Sequence, residues 1–283
     1  MDHNTLEELK SLIAYALQED IGSGDITTNA LVPASMTSTA TMVAKASGIV
    51  AGMEVAEAVF RYLSPEVEWR PMVRDGDPVE KGMLLAEVAA PYRCLLTGER
   101  LALNFLQRMS GIATMTHLFV AEVAGYGTKI LDTRKTVPGL RILDKYAVKA
   151  GGGVNHRIGL YDMVLIKDNH IKVAGGIRNA VEQIRRTVPS GIKIEVETTT
   201  MAEVVEALEM KADIIMLDNM SNELMKSCVE RINHQAKVEA SGNMNLERVR
   251  EVAATGVDFI SIGALTHSVT AFDISMNIIA DRF

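Results

Sequence analysis

Cysteine is nearly absent from this chain. Cys94 and Cys228 are the only two among 283 residues. They stand far apart, without a CxxC pair or a Cys/His cluster, which argues against a disulfide framework and a structural zinc site. Both read as small buried hydrophobes. No apolar run approaches the roughly 20 residues that span a bilayer, so no membrane partner is expected. The opening segment MDHNTLEELK has no basic stretch leading into an apolar one. A signal peptide is therefore not expected, and the cytoplasm is the expected location. An excess of positive charge is missing as well: 29 Lys+Arg against 36 Asp+Glu leaves a net charge of −7. Non-specific nucleic-acid binding rests on counterion release by basic patches, so no nucleic-acid partner is expected. A local basic pocket for a small anion remains compatible with this balance. No GxGxxG follows a first strand. The glycines at 151–153 follow a helical stretch and read as a helix cap and turn.

What is present is an ordinary globular composition, 48% hydrophobic and 23% charged, with ample material for a core. The length fits two domains or one α/β barrel of about 250 residues. Up to residue 125 the pattern is mixed. Thr5-Leu-Glu-Glu8 matches a capping box, and Leu6, Leu9, Leu12, Ile13, Ala16 and Leu17 follow helical spacing. Residues 38–51 read as strands and 53–63 as a helix. In 73–91 (VRDGDPVEKGMLLAEVAAP) turns separate short apolar runs, as in β-hairpins. That stretch resembles the half-barrel of lipoyl and biotinyl carriers, but Lys45 and Lys81 lack the flanks of a modified lysine, so a structural half-barrel is expected. Residues 95–124 carry two helical patterns, broken near Ser110-Gly111.

From residue 129 the rhythm is regular. Strand-like runs at 129–133, 163–167, 193–198, 214–218, 237–241 and 259–263 alternate with amphipathic stretches such as 201–210 and 245–254. This implies parallel βα units, and runs apolar on both faces suit a barrel or a doubly wound sheet. In such folds the chemistry sits at the carboxyl ends of strands. Here those ends carry Arg134-Lys135, Lys167 with Asp168-Asn-His170, Glu195 and Glu197 on one face, Asp218, Ser241-Gly-Asn243 and Gly263-Ala264; His156-Arg157 follows the glycine run. Converging Arg134, Lys135, His156, Arg157, Lys167 and His170 without a ligand would be expensive. A polyanionic substrate is inferred, with the carboxylates left for a divalent cation or ribose hydroxyls. The small residues of the last two loops suit backbone N–H contacts to a phosphate.

The segments DTRKT (132–136), NHR (155–157), IKDNH (166–170), EVE (195–197), LDN (217–219) and ISIGALTH (260–267) together resemble the quinolinate phosphoribosyltransferase family, the carboxylating nicotinate-nucleotide pyrophosphorylases. EDIGSGDIT (19–27) and TGERLALNFLQRMSGIAT (97–114) resemble the same family, so the similarity spans nearly the whole chain. The resemblance implies an N-terminal α/β sandwich over 1–125, an incomplete parallel β/α barrel of six or seven strands over 126–272, and a C-terminal helix over 273–283 packing back on the first domain. A seventh strand is looked for near 154–158. It implies phosphoribosyl transfer from phosphoribosyl pyrophosphate to quinolinate with loss of CO₂, giving nicotinate mononucleotide and pyrophosphate in NAD biosynthesis, with Mg²⁺ as cofactor. By resemblance Arg134, His156, Arg157 and Lys167 cradle the quinolinate carboxylates, with Thr133, Lys135 and His170 nearby. Lys135, Lys167, Glu197 and Asp218 are the expected catalytic residues. Glu197 and Asp218 also stand near the ribose and the substrate-borne Mg²⁺; no firm protein metal site is implied. Ser241, Gly242, Asn243, Gly263 and Ala264 form the expected phosphate loops. Arg100 resembles an arginine that reaches a neighbouring subunit's site, implying a homodimer or higher homo-oligomer. Three alternatives stay open at this point: a same-fold paralogue linked to molybdenum uptake, a Schiff-base barrel aldolase using Lys167, and a carrier built on the half-barrel.

Overall fold

The computed structural model describes residues 3–279, with side chains from residue 7 onward. The elements run α1 (His3–Ile21), α2 (Ile26–Leu31), β1 (Thr37–Ala44), β2 (Gly48–Ile49), α3 (Met53–Leu63), β3 (Glu68–Pro71), β4 (Pro78–Val79), β5 (Leu84–Pro91), α4 (Tyr92–Glu122), β6 (Lys129–Leu131) and α5 (Arg141–Ala150). After them come β7 (Val164–Ile166), α6 (Asp168–Ala174), α7 (Ile177–Thr187), β8 (Ile194–Thr198), α8 (Met201–Glu209), β9 (Ile214–Asp218), α9 (Asn222–Ile232), β10 (Lys237–Ser241), α10 (Leu246–Ala253), β11 (Phe259–Ser261), α11 (Ala264–His267) and β12 (Ile274–Ile278). They fall into two compact units that interleave along the chain: residues 1–115, 137–152 and 269–283 in one, 116–136 and 153–268 in the other. The chain passes between the units four times, after residues 115, 136, 152 and 268. The Thr5 side chain of the expected capping box, and Leu6 of the expected apolar stripe, lie outside the described residues.

The first unit is built on an antiparallel sheet of order β12-β1-β5-β3. In β1 every second residue is buried, Ser38, Ala40, Met42 and Ala44, the two-residue alternation of a half-buried strand. Leu9, Ile13 and Leu17, four apart, are the buried stripe of α1, and α1 packs against α3. Arg108 on α4 grips the fully buried Asp144 of α5 through two bonds, Nε–Oδ1 at 2.9 Å and a terminal nitrogen to Oδ2 at 2.8 Å, the bidentate geometry only Arg offers.

Two expectations fail here. The break near Ser110-Gly111 does not occur: α4 is one helix of 31 residues. The small residues serve close approach instead. Ser110 Oγ accepts from Ala51 N at 3.0 Å and donates to Ala51 O at 3.2 Å. A Cβ on Gly111 would stand 2.1 Å from Thr270 O. The expected helix over 273–283 is a strand where the structure describes it. Ile274 and Met276 are buried while Asn277 is exposed, and β12 pairs antiparallel with β1 from Ala44↔Ile274 to Ala40↔Ile278. Edge pairing to β1 satisfies backbone groups that a short helix would leave open. Residues 280–283 of that expectation lie outside the described residues.

The second unit holds a parallel sheet of order β6-β11-β10-β9-β8-β7. Strands β8 and β9 are buried at four of five positions each, as both faces of a parallel sheet require. Among the described residues the sheet is not closed into a barrel. The seventh strand shrinks to one parallel bridge, Leu131↔Val154, held by Val154 N to Ile130 O at 2.8 Å. Beyond it Asp162 accepts from Ile158 N and Gly159 N at 2.7 and 2.9 Å. That turn bends the chain away before a strand can extend. Short polar caps start the helices that follow: Thr200, Ser221 and Asn245 each accept from the backbone N–H three residues on. These caps hold the βα turns tight, and the parallel pairing puts all the strand ends on one side.

Candidate active site

The parallel strands of the second unit all end on the same side, and their βα loops enclose a cavity of about 760 Å³. Of the residues given roles by the family resemblance, Thr133, Arg134, Lys135, His156, Arg157, Lys167, Glu197, Asp218, Ser241, Gly242, Asn243, Gly263 and Ala264 line it. Two do not. His170 is drawn aside to the helix start, where its Nδ1 accepts the backbone N–H of Lys167 at 3.0 Å. It thereby orients the turn carrying Lys167. Arg100 is exposed on α4 in the first unit and is not a lining residue.

The cationic side starts from Asp132, fully buried at the end of β6. Its carboxylate accepts from the His156 backbone N–H at 2.9 Å and from the Asn155 side-chain amide. One buried acid thus fastens the NHR segment to the DTRKT segment. The backbone of Lys135 is held at both groups: its N–H donates to Thr133 Oγ1 at 3.0 Å and its carbonyl accepts from Thr266 Oγ1 at 2.9 Å. Arg134 Nε is buried with no hydrogen-bond partner, a donor left open. Arg157 is partly buried, with one terminal nitrogen donating to Met163 O at 3.2 Å. Burial, and then the like charge of Arg134, lower its pKa below that of a free guanidinium. Lys167 is exposed at the rim. It therefore lacks the apolar enclosure that would desolvate a Schiff-base lysine.

The acidic side has two levels. Glu197 and Asp218, ends of adjacent strands, are half-buried. Burial, and then the charge of Asp218, push the Glu197 carboxyl above the usual range. Deeper, Glu195 and Glu239 are both fully buried. His156 Nε2 lies 2.8 Å from Glu195 Oε2 and 3.5 Å from Glu239 Oε2. Burial raises Glu195 to about 7. Burial, and then the neighbouring Glu195 charge, raise Glu239 to about 8. Near neutrality the pair therefore retains protons, shared between coupled groups. The three side chains bring ligand atoms within 4.8 Å of one another. The 2.8 Å contact is the spacing of a hydrogen bond, shorter than the roughly 3.3 Å between two ligands around a tetrahedral ion with bonds of about 2.0–2.1 Å. The pair of half-buried carboxylates nearer the mouth suits a hard divalent cation better.

Sequence reasoning missed three participants. Glu239 lines the cavity two residues before Ser241 on β10; the period of two already placed both on one face. Asp132 lay inside a quoted motif with no role. Asn219, at φ 52°, donates to Asp218 Oδ2 at 2.8 Å and accepts from Asn243 Nδ2 at 3.2 Å, tying the carboxylate to the phosphate loop. No pattern in the chain announces that tie.

Comparison with known proteins agrees along nearly the whole length. Residues 25–110 match the N-terminal domain and residues 112–277 the C-terminal domain of the quinolinate phosphoribosyl transferase family. A chloroplastic nicotinate-nucleotide pyrophosphorylase (carboxylating) of Oryza sativa subsp. japonica is 46% identical over 292 residues, 96% of this chain and 78% of that protein. A quinolinate phosphoribosyltransferase (decarboxylating) of Nicotiana tabacum is 47% identical over 290 residues, covering 96% and 82%. Among solved structures, NadC from Streptococcus pyogenes superposes with a TM-score of 0.94 at 38% identity, covering 98% of each chain. The nicotinate-nucleotide pyrophosphorylase of Francisella tularensis gives 0.93 at 40%, covering 96% of each.

Proposed function

The chain belongs to the quinolinate phosphoribosyltransferase family, and from that premise we propose how its own residues carry the reaction. The enzyme transfers the phosphoribosyl group of phosphoribosyl pyrophosphate to quinolinate with decarboxylation, forming nicotinate mononucleotide in NAD biosynthesis. The observation that carries the residue assignment is the pairing of an unpartnered buried arginine donor, Arg134 Nε, with Arg157 and His156 in one cavity that also holds two half-buried carboxylates.

Arg134, His156, Arg157 and Lys167 cradle the two quinolinate carboxylates; the planar fork of Arg pairs a carboxylate bidentately. Pyridine N1 attacks C1′ as pyrophosphate leaves. Glu197 and Asp218 face the ribose, where positive charge builds at C1′, and fixed carboxylates stabilise it. Lys135 stands at the cationic end for the departing anion. No side-chain nucleophile is required, so positioning and electrostatics supply the catalysis. Glu197 and Asp218 are also the groups that would hold Mg²⁺ brought with the substrate: their oxygens are hard donors, and the repulsion that raises the Glu197 carboxyl is what a cation relieves. When bound, the ion supplies charge neutralisation for the leaving pyrophosphate. Release of pyrophosphate and CO₂ from quinolinate, set against nicotinate, tests this reading directly.

Ser241, Gly242, Asn243, Gly263 and Ala264 are the proposed seat of the 5′-phosphate. Gly242 sits at φ +97°, and a Cβ there would stand 2.2 Å from Asn219 Oδ1. A left-handed backbone costs a non-glycine residue about 1–2 kcal/mol. Gly242→Ala is therefore expected to raise the KM for phosphoribosyl pyrophosphate roughly tenfold or more, with quinolinate affinity by calorimetry unchanged.

The proposed assembly is a homodimer or higher oligomer in which Arg100 serves the neighbouring site. Arg100→Ala and Lys167→Ala are each expected to be nearly inactive, and mixing them should restore activity through hybrid dimers with one intact site. No recovery after verified subunit exchange would remove Arg100 from a neighbour's site. Among the described residues no helix is long and apolar enough to cross a membrane. The cytoplasm is the proposed location, although several plant relatives are named chloroplastic or mitochondrial.

A further inference from the structure

Glu239 lines the cavity, and the scheme above leaves this carboxyl without work. It projects from the middle of β10 and is fully buried, and neither of its oxygens has a hydrogen-bond partner. Its polar neighbours are Glu195 on β8, Ser261 on β11 and His156 beyond the Val154 bridge. The Ser261 hydroxyl is directed to Ala240 O instead, at 3.5 Å. Farther out, Arg157 and Lys167 act on the pair through Glu195. An ionised carboxylate stripped of water and of donors is not tolerated; the group keeps its proton instead. The floor of the cavity thus holds a carboxylic acid that faces Glu195 and lines the cavity.

The overall reaction needs such an acid. Once N1 carries the ribose, the C2–carboxylate bond breaks, CO₂ leaves, and the electron pair stays on C2 of the pyridinium ring. Nicotinate mononucleotide has hydrogen at that carbon. We propose that Glu239 is a further catalytic residue, the carboxylic acid that delivers this proton to C2. The inference rests on the quinolinate reading of the cavity. The step balances: the Glu239 O–H bond breaks, the C2–H bond forms, and the carboxylate left behind recovers a proton from water as product departs. That carboxylate lies 3.5 Å from His156 Nε2, so the charge it gains has a partner. His156 and Glu195 are positioning residues in this step, joined by their 2.8 Å contact. The sign with pH follows from burial. A carboxyl raised to about 8 is a competent acid below that pH and ceases to be one above it.

The test is single turnover with carboxyl-labelled quinolinate, quenched over time, scoring pyrophosphate, CO₂, nicotinate mononucleotide and the N-ribosylated quinolinate 5′-phosphate. If the native enzyme releases no pyrophosphate from quinolinate, the functional reading fails, whatever the variants do. With that established, Glu239→Gln is expected to form nicotinate mononucleotide about 10²-fold or more slowly, the low end of general-acid effects. The ribosylated dicarboxylate should accumulate, since the loss falls on the second step. Glu239→Asp, which keeps an acid at shorter reach, should recover part of the rate. In the native enzyme the second step alone should slow above about pH 8, and in Glu239→Gln that limb should vanish. Loss of both steps in proportion to the unfolded fraction, or native-like product formation without accumulation, overturns the proposal. Should Glu239→Gln fail to fold, a native pH profile with no limb confined to the second step overturns it equally.

Discussion

Nicotinate is expected to turn over about 10⁴-fold less efficiently than quinolinate, measured as kcat/KM from pyrophosphate release. A site built to pair a polar substrate group rejects the analogue lacking it by roughly 10⁴–10⁵, because its own buried groups are then left open. That condition is met. Arg134 Nε is buried and unpartnered, and Arg157 is already lowered in pKa by burial and by the charge of Arg134. Two guanidinium groups that repel each other in a partly desolvated wall need two anions, and nicotinate brings one carboxylate. Arg134→Ala should narrow the discrimination by damaging quinolinate use far more than nicotinate use. Comparable turnover of the two acids by the native enzyme would rule out the dicarboxylate cradle.

The second large effect concerns Glu197 and Asp218. Glu197→Gln with Asp218→Asn is expected to lower turnover by about 10²–10³, the range for one strong electrostatic contributor, while quinolinate still binds. The competing view is that these carboxylates only balance Lys135 and Lys167 and hold the fold. Linkage separates the two. The Glu197 carboxyl is raised by burial and by Asp218. A group raised on folding contributes stability only while protonated, and that stability is lost as pH rises through its folded pKa. At neutral pH an ionised Glu197 therefore opposes folding, and its neutralisation should leave Tm unchanged or higher. A double variant with near-normal turnover, or one whose activity loss merely follows a lowered Tm, would return both residues to a structural role.

The second unit shows what a chain announces about itself. Alternation of short β-rich runs with amphipathic stretches implied parallel βα units, and the observed strands lie within those runs. Strand ends with charge therefore pointed to the cavity, because a parallel sheet sends every βα loop to one side. That logic brought Arg134, Arg157, Glu197 and Asp218 together from positions far apart in sequence, and the motif resemblance named the family. It stopped where partners are remote. Ser110-Gly111 has the composition of a break, yet it is helical because Ala51 and Thr270 approach it closely. The stretch after residue 273 is a strand because β1 offers it an edge. The seventh strand fails because Asp162 turns the chain at Ile158 and Gly159.

In the second unit local periodicity and residue type thus determined the alternating strands and helices and the face on which charge would gather. Both act within a turn or two of the chain, where sterics and burial leave few choices. Which charges stay bare, which acid keeps its proton and which small residues lie under a neighbour were decided by tertiary structure alone. A pKa or a close contact depends on desolvation and on groups brought from elsewhere in the sequence. Glu195 and Glu239 are 44 positions apart by number, and only the pairing of β8 and β10 with β9 between them sets them both against His156.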